Sequence, residues 1–274
     1  MNLCLILSYG DSIINKEVEI LEYLHTLIYL LPMLFVAGVV DGIAGGGGVI
    51  ALPAYMLSGM PIHSCYACNK LQSGLGTAAA CGKYIREGFV DLKTAVVALP
   101  FTIAASFLST KVILYLNSDV IKIIILVCMP IAVGAMFLKL KMTSTDLLKA
   151  DFTVKTVMLS ALAGIILGTY DALFGPGGGT IAMIIYALFL NYDLRVGCGN
   201  GKVIIVVSNI TAVISFIQSG YMIYHVAIPC SVINMIGCYL GAALATKKGS
   251  KIILPAMIFV IVAVVVQTIL NFVI

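Results

Sequence analysis

The 274 residues are 61% hydrophobic and 10% charged, with a formal net charge of +4 and a mean hydropathy of +1.12. An ordinary soluble domain is roughly 25% charged, so a globule of this size has too few charges to cover its surface, and the composition is equally wrong for a disordered chain. Most of the surface must face lipid, and the small positive charge is a loop feature of a membrane protein, with no nucleic-acid partner implied.

The first twenty residues carry a short apolar start followed by Asp11, Lys16, Glu17 and Glu19. They lack the basic n-region and cleavage site of a removed signal peptide. Apolar runs at 94–110, 120–138, 154–170, 203–217, 222–245 and 252–274, with a more polar one near 64–82, are long enough for membrane helices, since about 20 residues cross the hydrocarbon core. A transmembrane β-barrel needs repeated segments of about ten alternating residues, which these are not. Tyr, with 13 copies against no Trp, is left to anchor helices at the interface. The stretches from Leu24 to Ser58 and from Ala161 to Leu190 are interrupted by glycine. The predicted fold class is therefore all-α and polytopic.

Residues 41–48 read D-G-I-A-G-G-G-G and residues 171–178 read D-A-L-F-G-P-G-G. Asp41 matches Asp171, and Gly45, Gly47 and Gly48 match Gly175, Gly177 and Gly178; further on, Lys70 matches Lys202, Gly76-Thr77 matches Ser208-Asn209, and Gly88 matches Gly220. The shared order implies an internal duplication. The expected organisation is an N-terminal segment 1–23, a first transmembrane repeat 24–140, a cytoplasmic linker 141–152 and a second repeat 153–274.

Basic residues decide between parallel and inverted halves. If each glycine-broken element is a helical hairpin or a re-entrant pair, the loop with Lys83, Arg86 and Lys93, the linker with Lys139, Lys141, Lys149 and Lys155, the loop with Lys247, Lys248 and Lys251, and Arg195 all face the cytoplasm. Only Lys111 and Lys122 lie outside. The positive-inside rule thus predicts two inverted repeats. Residues 49–58 span about 15 Å as helix, half a membrane.

Glycine costs a helix about 1 kcal/mol per residue relative to alanine, so four in succession need a reason. Pro176 strengthens the second break. Free amides at the new helix starts cannot be left in lipid, and two such N-termini brought together by symmetry suit an anion. Close helix packing through small residues is the structural alternative. A P-loop reading fails, since no G-K-[ST] ending or βαβ context is present. Lys70 and Lys202 either face a cavity or snorkel to an interface. Asn69, Gln72, Ser73, Thr77, Asn200, Ser208, Asn209 and Thr211 supply neutral groups for the same path.

Asp41 and Asp171 precede the breaks as helix caps, as coupling groups that exchange a proton, or as partners of Lys70 and Lys202 within their own halves. Isolated His25, His63 and His225 form no metal-ligand pattern. Pro53, Pro61, Pro100, Pro130 and Pro229 are expected at kinks or helix ends. The eight Cys are spaced as small hydrophobes without a disulfide framework or a nucleophile–base arrangement. No cofactor and no enzymatic activity are expected.

D-G-I-A-G-G-G-G-V-I-A-L-P followed by C-N-K-L-Q-S-G-L-G-T, and in the second half F-G-P-G-G-G-T-I with G-K-V-I-I-V-V-S-N, resemble the paired signatures of the sulfite exporter TauE/SafE family of membrane permeases, over approximately residues 25–270. The resemblance implies a secondary transporter in a prokaryotic plasma membrane, moving sulfite, a sulfonate or a related organic anion. It points to Gly45, Gly46, Gly47, Gly48, Pro53, Asn69 and Lys70 in the first half. In the second it points to Gly175, Gly177, Gly178, Gly179, Lys202 and Asn209, with Thr77 added from the repeat. Met183 stands where the first copy has Pro53, and Gly201 precedes Lys202 where Asn69 precedes Lys70, so equal substrate contacts from the two halves are not expected. A passive anion channel and a non-transporting membrane interaction protein are the alternatives; coupling to protons or sodium and the oligomeric state are left open.

Overall fold

The computed structural model describes residues 24, 26–121, 123–124, 151–175, 177–249, 251–252 and 255. Most of the expected spans 120–138 and 252–274, most of the linker, and Pro130 and Pro176 lie outside these residues. Among the described residues the chain is helical without strands. Helix α1 runs Thr26–Ala44. It is followed by α2 (Gly48–Leu57), α3 (Ile62–Arg86), α4 (Leu92–Tyr115), α5 (Val154–Leu173), α6 (Gly178–Leu190), α7 (Leu194–Gln218) and α8 (Tyr224–Lys248). Five of these, α1, α4, α5, α7 and α8, are long and apolar enough to cross a membrane. Lys202 lies inside α7 rather than at its edge, so that helix starts well before the apolar run that betrayed it.

The helix bounds recur. Both ends of α7 sit 132 residues beyond those of α3, and α8 starts 132 residues after α4. Helix α2, ten residues long, and α6, thirteen, are too short to span. Gly47 approaches the carbonyl of Ala37, ten residues back, so closely that a Cβ there would lie 2.4 Å from it. The chain has doubled back on α1 at the break, as a hairpin does. Pro53, Pro100 and Pro229 sit inside α2, α4 and α8, while Pro61 is the N-cap of α3.

The helices of the two halves interlock. Gly38 and Gly42 of α1 lie against Asn234 and Cys238 of α8, and Gly237 and Gly241 of α8 against Phe35 and Val39 of α1. Gly164 and Gly168 of α5 meet Ala98 and Thr102 of α4 in the same way. Cβ atoms at these six glycines would fall 2.2 to 2.8 Å from the opposing backbone. The missing side chains are what let the axes approach, the usual means of helix association in lipid. Among the described residues, α1 of the first half therefore packs on α8 of the second, and α5 of the second on α4 of the first.

Polarity is arranged inside out. Ile28, Phe101, Leu108, Met158, Ile214 and Ile228 are exposed, whereas Asn69, Lys70, Thr102, Ser106, Asp171, Lys202 and Asn209 are buried. Tyr192, Asp91, Thr94 and Asn200 form one interior network. The Tyr192 hydroxyl donates to Asp91 Oδ2 at 2.6 Å, the Asp91 amide to Asn200 Oδ1 at 2.9 Å, and Asn200 Nδ2 to Thr94 Oγ1 at 3.1 Å. Asn200 is thus committed to tying α4 to α7. Tyr192→Phe strips a donor from a buried carboxylate and is expected to destabilise by about 1–3 kcal/mol, read as a lower melting temperature in detergent; an unchanged melting temperature would refute the network's role.

The basic turns gather at one end. Arg195 stacks on the Phe89 ring at 4.4 Å and borders Gly249. At the other end His63 stacks on Tyr221 with centroids 4.8 Å apart, which joins the first turn of α3 to the turn after α7. The two stacks occupy matched positions, 63 with 195 and 89 with 221, at the 132-residue displacement.

Candidate functional site

Both lysines of the duplicated pattern are interior. The side chains of Lys70 and Lys202 are each 1% exposed, which rules out snorkelling to an interface. Each crosses to the other half. Lys70 Nζ meets Asp171 Oδ2 at 2.9 Å and also donates to the Asp171 carbonyl. Lys202 Nζ meets Asp41 Oδ2 at 2.8 Å and donates to the Asp41 carbonyl. Pairing within a half is not what forms.

The reason lies in the helix ends. Asp41 and Asp171 occupy the last turns of α1 and α5, where carbonyls have accepting capacity to spare, although that of Asp41 also takes the Gly45 amide at 2.8 Å. A cation delivered there satisfies a carbonyl, a carboxylate and the negative end of the helix dipole together. The aspartates cap neither following helix, since the N-caps of α2 and α6 are Gly47 and Gly177, without side-chain cap bonds. Neighbouring reciprocal contacts repeat the crossing: Tyr66 donates to the Leu173 carbonyl and Cys198 to that of Ile43. Each contact and its counterpart exchange halves, the pattern a two-fold relation produces.

A hydroxyl of the same half completes each carboxylate. Thr77 Oγ1 donates to Asp41 Oδ2 at 3.1 Å and Ser208 Oγ to Asp171 Oδ2 at 2.7 Å. The surroundings then diverge. Cys238 Sγ approaches Asp41 Oδ2 at 3.7 Å, while Ser208 Oγ also lies 3.2 Å from Ser106 Oγ.

The glycine breaks meet each other. A Cβ on Gly45 would stand 2.4 Å from Gly179 Cα, and one on Gly179 would stand 2.6 Å from Gly45 Cα. Thr180 Oγ1 closes the contact by donating to the Ala44 carbonyl at 2.7 Å. Gly45, Gly175 and Gly177 have φ of 78°, 75° and 79°, left-handed conformations that glycine adopts without penalty. Among the described residues the amides of Gly46, Gly47 and Gly48, and of Gly177 and Gly179, reach no acceptor.

The two breaks are not equivalent in what faces them. Gly45 is plugged by the backbone of Gly179, whereas a Cβ on Gly175 would meet its neighbours only at ordinary contact distance, the Asp171 carbonyl among them at 3.7 Å. Lys70 Nζ and Asn69 Nδ2 lie 3.7 and 3.8 Å from where a Gly175 Cβ would be, at ordinary contact distance. Asn69 is 3% exposed and Asn209 0%, and the Oδ1 atom of each is buried without a hydrogen-bond partner, as is Gln72 Oε1. Asn209 Nδ2 reaches Ser73 Oγ at 3.3 Å. Position 201, the counterpart of Asn69, is glycine, and Ile205 fills the space beside Gly178. Thr211 faces elsewhere, binding its own helix at the Val207 carbonyl and lining an apolar groove of about 330 Å³ with Ile103, Phe107 and Ile214. No group of three or more metal-ligating side chains occurs among the described residues.

Chemically, the face of Gly175 gathers an ammonium, a carboxamide and the amides at the start of α6, all hydrogen-bond donors. The sequence signal for Lys70, Lys202 and the glycines was the duplication. Ser208 is among the neutral path residues read from the repeat, but its partner Ser106 carries no comparable signal, because a serine in an apolar helix is unremarkable until its neighbour is known.

Residues 30–268 match the family model described as sulfite exporter TauE/SafE. Among curated proteins, the chain is similar to the probable membrane transporter protein ORF9 of a Sinorhizobium species, at 30% identity over 89% of this chain and 92% of that one. It is also similar to the probable membrane transporter protein YfcA of Escherichia coli K12, at 28% identity over 88% and 91%. A third relative is the probable membrane transporter protein YdhB of Bacillus subtilis, at 24% over 86% and 96%. No solved structure matches the chain.

Proposed function

This chain belongs to the sulfite exporter TauE/SafE family of integral membrane transporters, and on that premise we propose that it is a secondary transporter of a small sulfur-containing or organic anion such as sulfite or a sulfonate, working by alternating access between inverted halves. The observation that carries the reading is the convergence of Lys70 Nζ and Asn69 Nδ2 on the face of Gly175, beside amides at the start of α6 that reach no acceptor among the described residues. A helix N-terminus favours negative charge through its free N–H groups and its dipole. Oxyanions such as sulfite and sulfonates have the size and the acceptor atoms to use all of these donors at once.

The guest enters a region that is already charge-balanced, because each lysine is matched by an aspartate. Lys70 can turn toward the anion without leaving its place, since the distance to Gly175 is that of a single contact. Lys202 and Asp41, close to the opposite break, hold α1 to α7 while this happens. Alternation then exchanges which end of the lysine–aspartate layer is open.

The test is uptake into proteoliposomes of labelled sulfite in competition with thiosulfate, sulfonates and carboxylates, with proton and sodium gradients imposed separately. Trans-acceleration by unlabelled substrate is expected and distinguishes a carrier from a passive channel. Lys70→Gln should reduce uptake at least tenfold, and Lys202→Gln less. Unchanged uptake in both variants removes the lysines from the mechanism.

A further inference from the structure

Building on the anion-transport reading, we propose that Asp171 is a proton-binding site: it takes up one proton when an oxyanion replaces its carboxylate on the Lys70 ammonium, so that each negative charge moves with a proton.

The inference starts from charge. Lys70 and Asp171 are a closed pair, with side chains 1% and 4% exposed. Adding an anion at Gly175 would leave a net negative charge buried in the membrane interior, which is strongly unfavourable. Ejecting Asp171 is prevented by geometry, because it sits in the last turn of α5 with its side chain 4% exposed and held by Ser208 Oγ at 2.7 Å. Protonating it restores neutrality without moving a helix. A new O–H bond forms on Oδ2, the Lys70 hydrogen bond passes to the anion, and the proton comes from water at the open end.

The hydroxyls beside Asp171 suit that exchange. Ser208 Oγ now donates to Oδ2 at 2.7 Å, and a hydroxyl can reverse its role, accepting from the protonated acid and passing its own hydrogen to Ser106 Oγ, 3.2 Å away. Ser106, Ser109 and Thr110 are all buried on one face of α4, at the i, i+3 and i+4 spacing that puts side chains together, with the Ser106 and Thr110 hydroxyls donating to the carbonyls of Ser208 and Ser106. The groups facing Asp171 are Lys70 from α3, Ser208 from α7, Ser106 of α4 through Ser208, and the backbone at Gly178 from α6. Lys70 is the charged group in that set among the described residues. Among the described residues Asp41 meets Lys202, Thr77 and Cys238, the last leading on to the Asn234 carboxamide rather than to a run of hydroxyls. The halves therefore differ in proton access as well as in their amides.

The experiment uses the purified full chain in weakly buffered detergent with a pH-indicator dye and ethanesulfonate as the probe, since a sulfonate stays ionised throughout the neutral range whereas sulfite titrates itself. Saturating ethanesulfonate should cause uptake of about one proton per protein, and its affinity should fall about tenfold per pH unit as pH rises, the slope of one linked proton. Asp171→Asn should abolish both the proton uptake and the slope, and Asp171→Glu should keep them. Ser208→Ala serves as a folded variant that slows proton uptake if the Asn form does not fold. Binding without proton uptake, or proton uptake persisting in Asp171→Asn, overturns this inference alone. Failure of ethanesulfonate to bind at any pH overturns the anion-site reading and the inference with it.

Discussion

Lys70→Met is expected to destabilise the folded protein by about 3–5 kcal/mol, because it strands the Asp171 carboxylate in the interior. The double variant Lys70→Met with Asp171→Asn should regain most of that loss, since two neutral groups of similar volume replace a matched pair. Neither form should regain anion transport. The equivalent change at Lys202 should cost less, because the Asp41 side chain is 14% exposed against 4% for Asp171 and water can compensate it in part. Melting can be followed with a thiol-reactive fluorophore: Cys65, Cys68, Cys81, Cys198, Cys230 and Cys238 are all free and buried, so they react as the fold opens. If the double variant loses as much as its two singles added together, the two residues do not interact as described.

The second large effect is at the contact between the breaks. Gly45→Ala and Gly179→Ala each push a methyl group to within 2.4–2.6 Å of the opposing backbone, where no side chain can yield. Overpacking of this kind costs about 1–3 kcal/mol, and at Gly45 the left-handed backbone adds about 1–2 kcal/mol more for any residue with a Cβ. Gly59, Gly88 and Gly220 are also left-handed but have nothing within 4 Å, so alanine there should bring only the backbone penalty. The same fluorescence melt ranks the five variants. Equal effects at Gly45 and Gly59 would mean that the breaks do not depend on their mutual contact.

Much of this arrangement was legible in the sequence. Continuous apolar runs gave α4, α5, α7 and α8 to within a few residues, apart from the early start of α7, because lipid demands a periodicity-free apolar segment. The paired motifs gave the breaks and the lysines. What could not be read was the direction of pairing. Lys70 and Asp171 are far apart in the chain, and nothing in spacing distinguishes a partner in the same half from one in the other. The inequivalence of the breaks was visible only as Asn69 against Gly201 and Pro53 against Met183. That Gly45 is closed by the Gly179 backbone while Gly175 faces Lys70 and Asn69 depends on three-dimensional contact. Asn200, read as a lining residue, belongs to a tie between α4 and α7, since its partners Asp91 and Thr94 come from the preceding half.

The exchange of helices between halves also bears on how the protein is made. As α1 to α4 leave the ribosome and enter the bilayer, Lys70 has no counter-charge, for Asp171 is 101 positions further along. The glycine face of α1 waits longer still: Asn234, which donates to the Leu34 carbonyl, is 200 positions away. The N-terminal half must therefore remain loosely assembled and hydrated around its lysine until α5 arrives, and α1 finds its seat only when α8 has been inserted. Quality control that recognises exposed intramembrane charge has its longest access during that interval, so a truncation anywhere before α8 leaves a substrate for degradation rather than a smaller transporter.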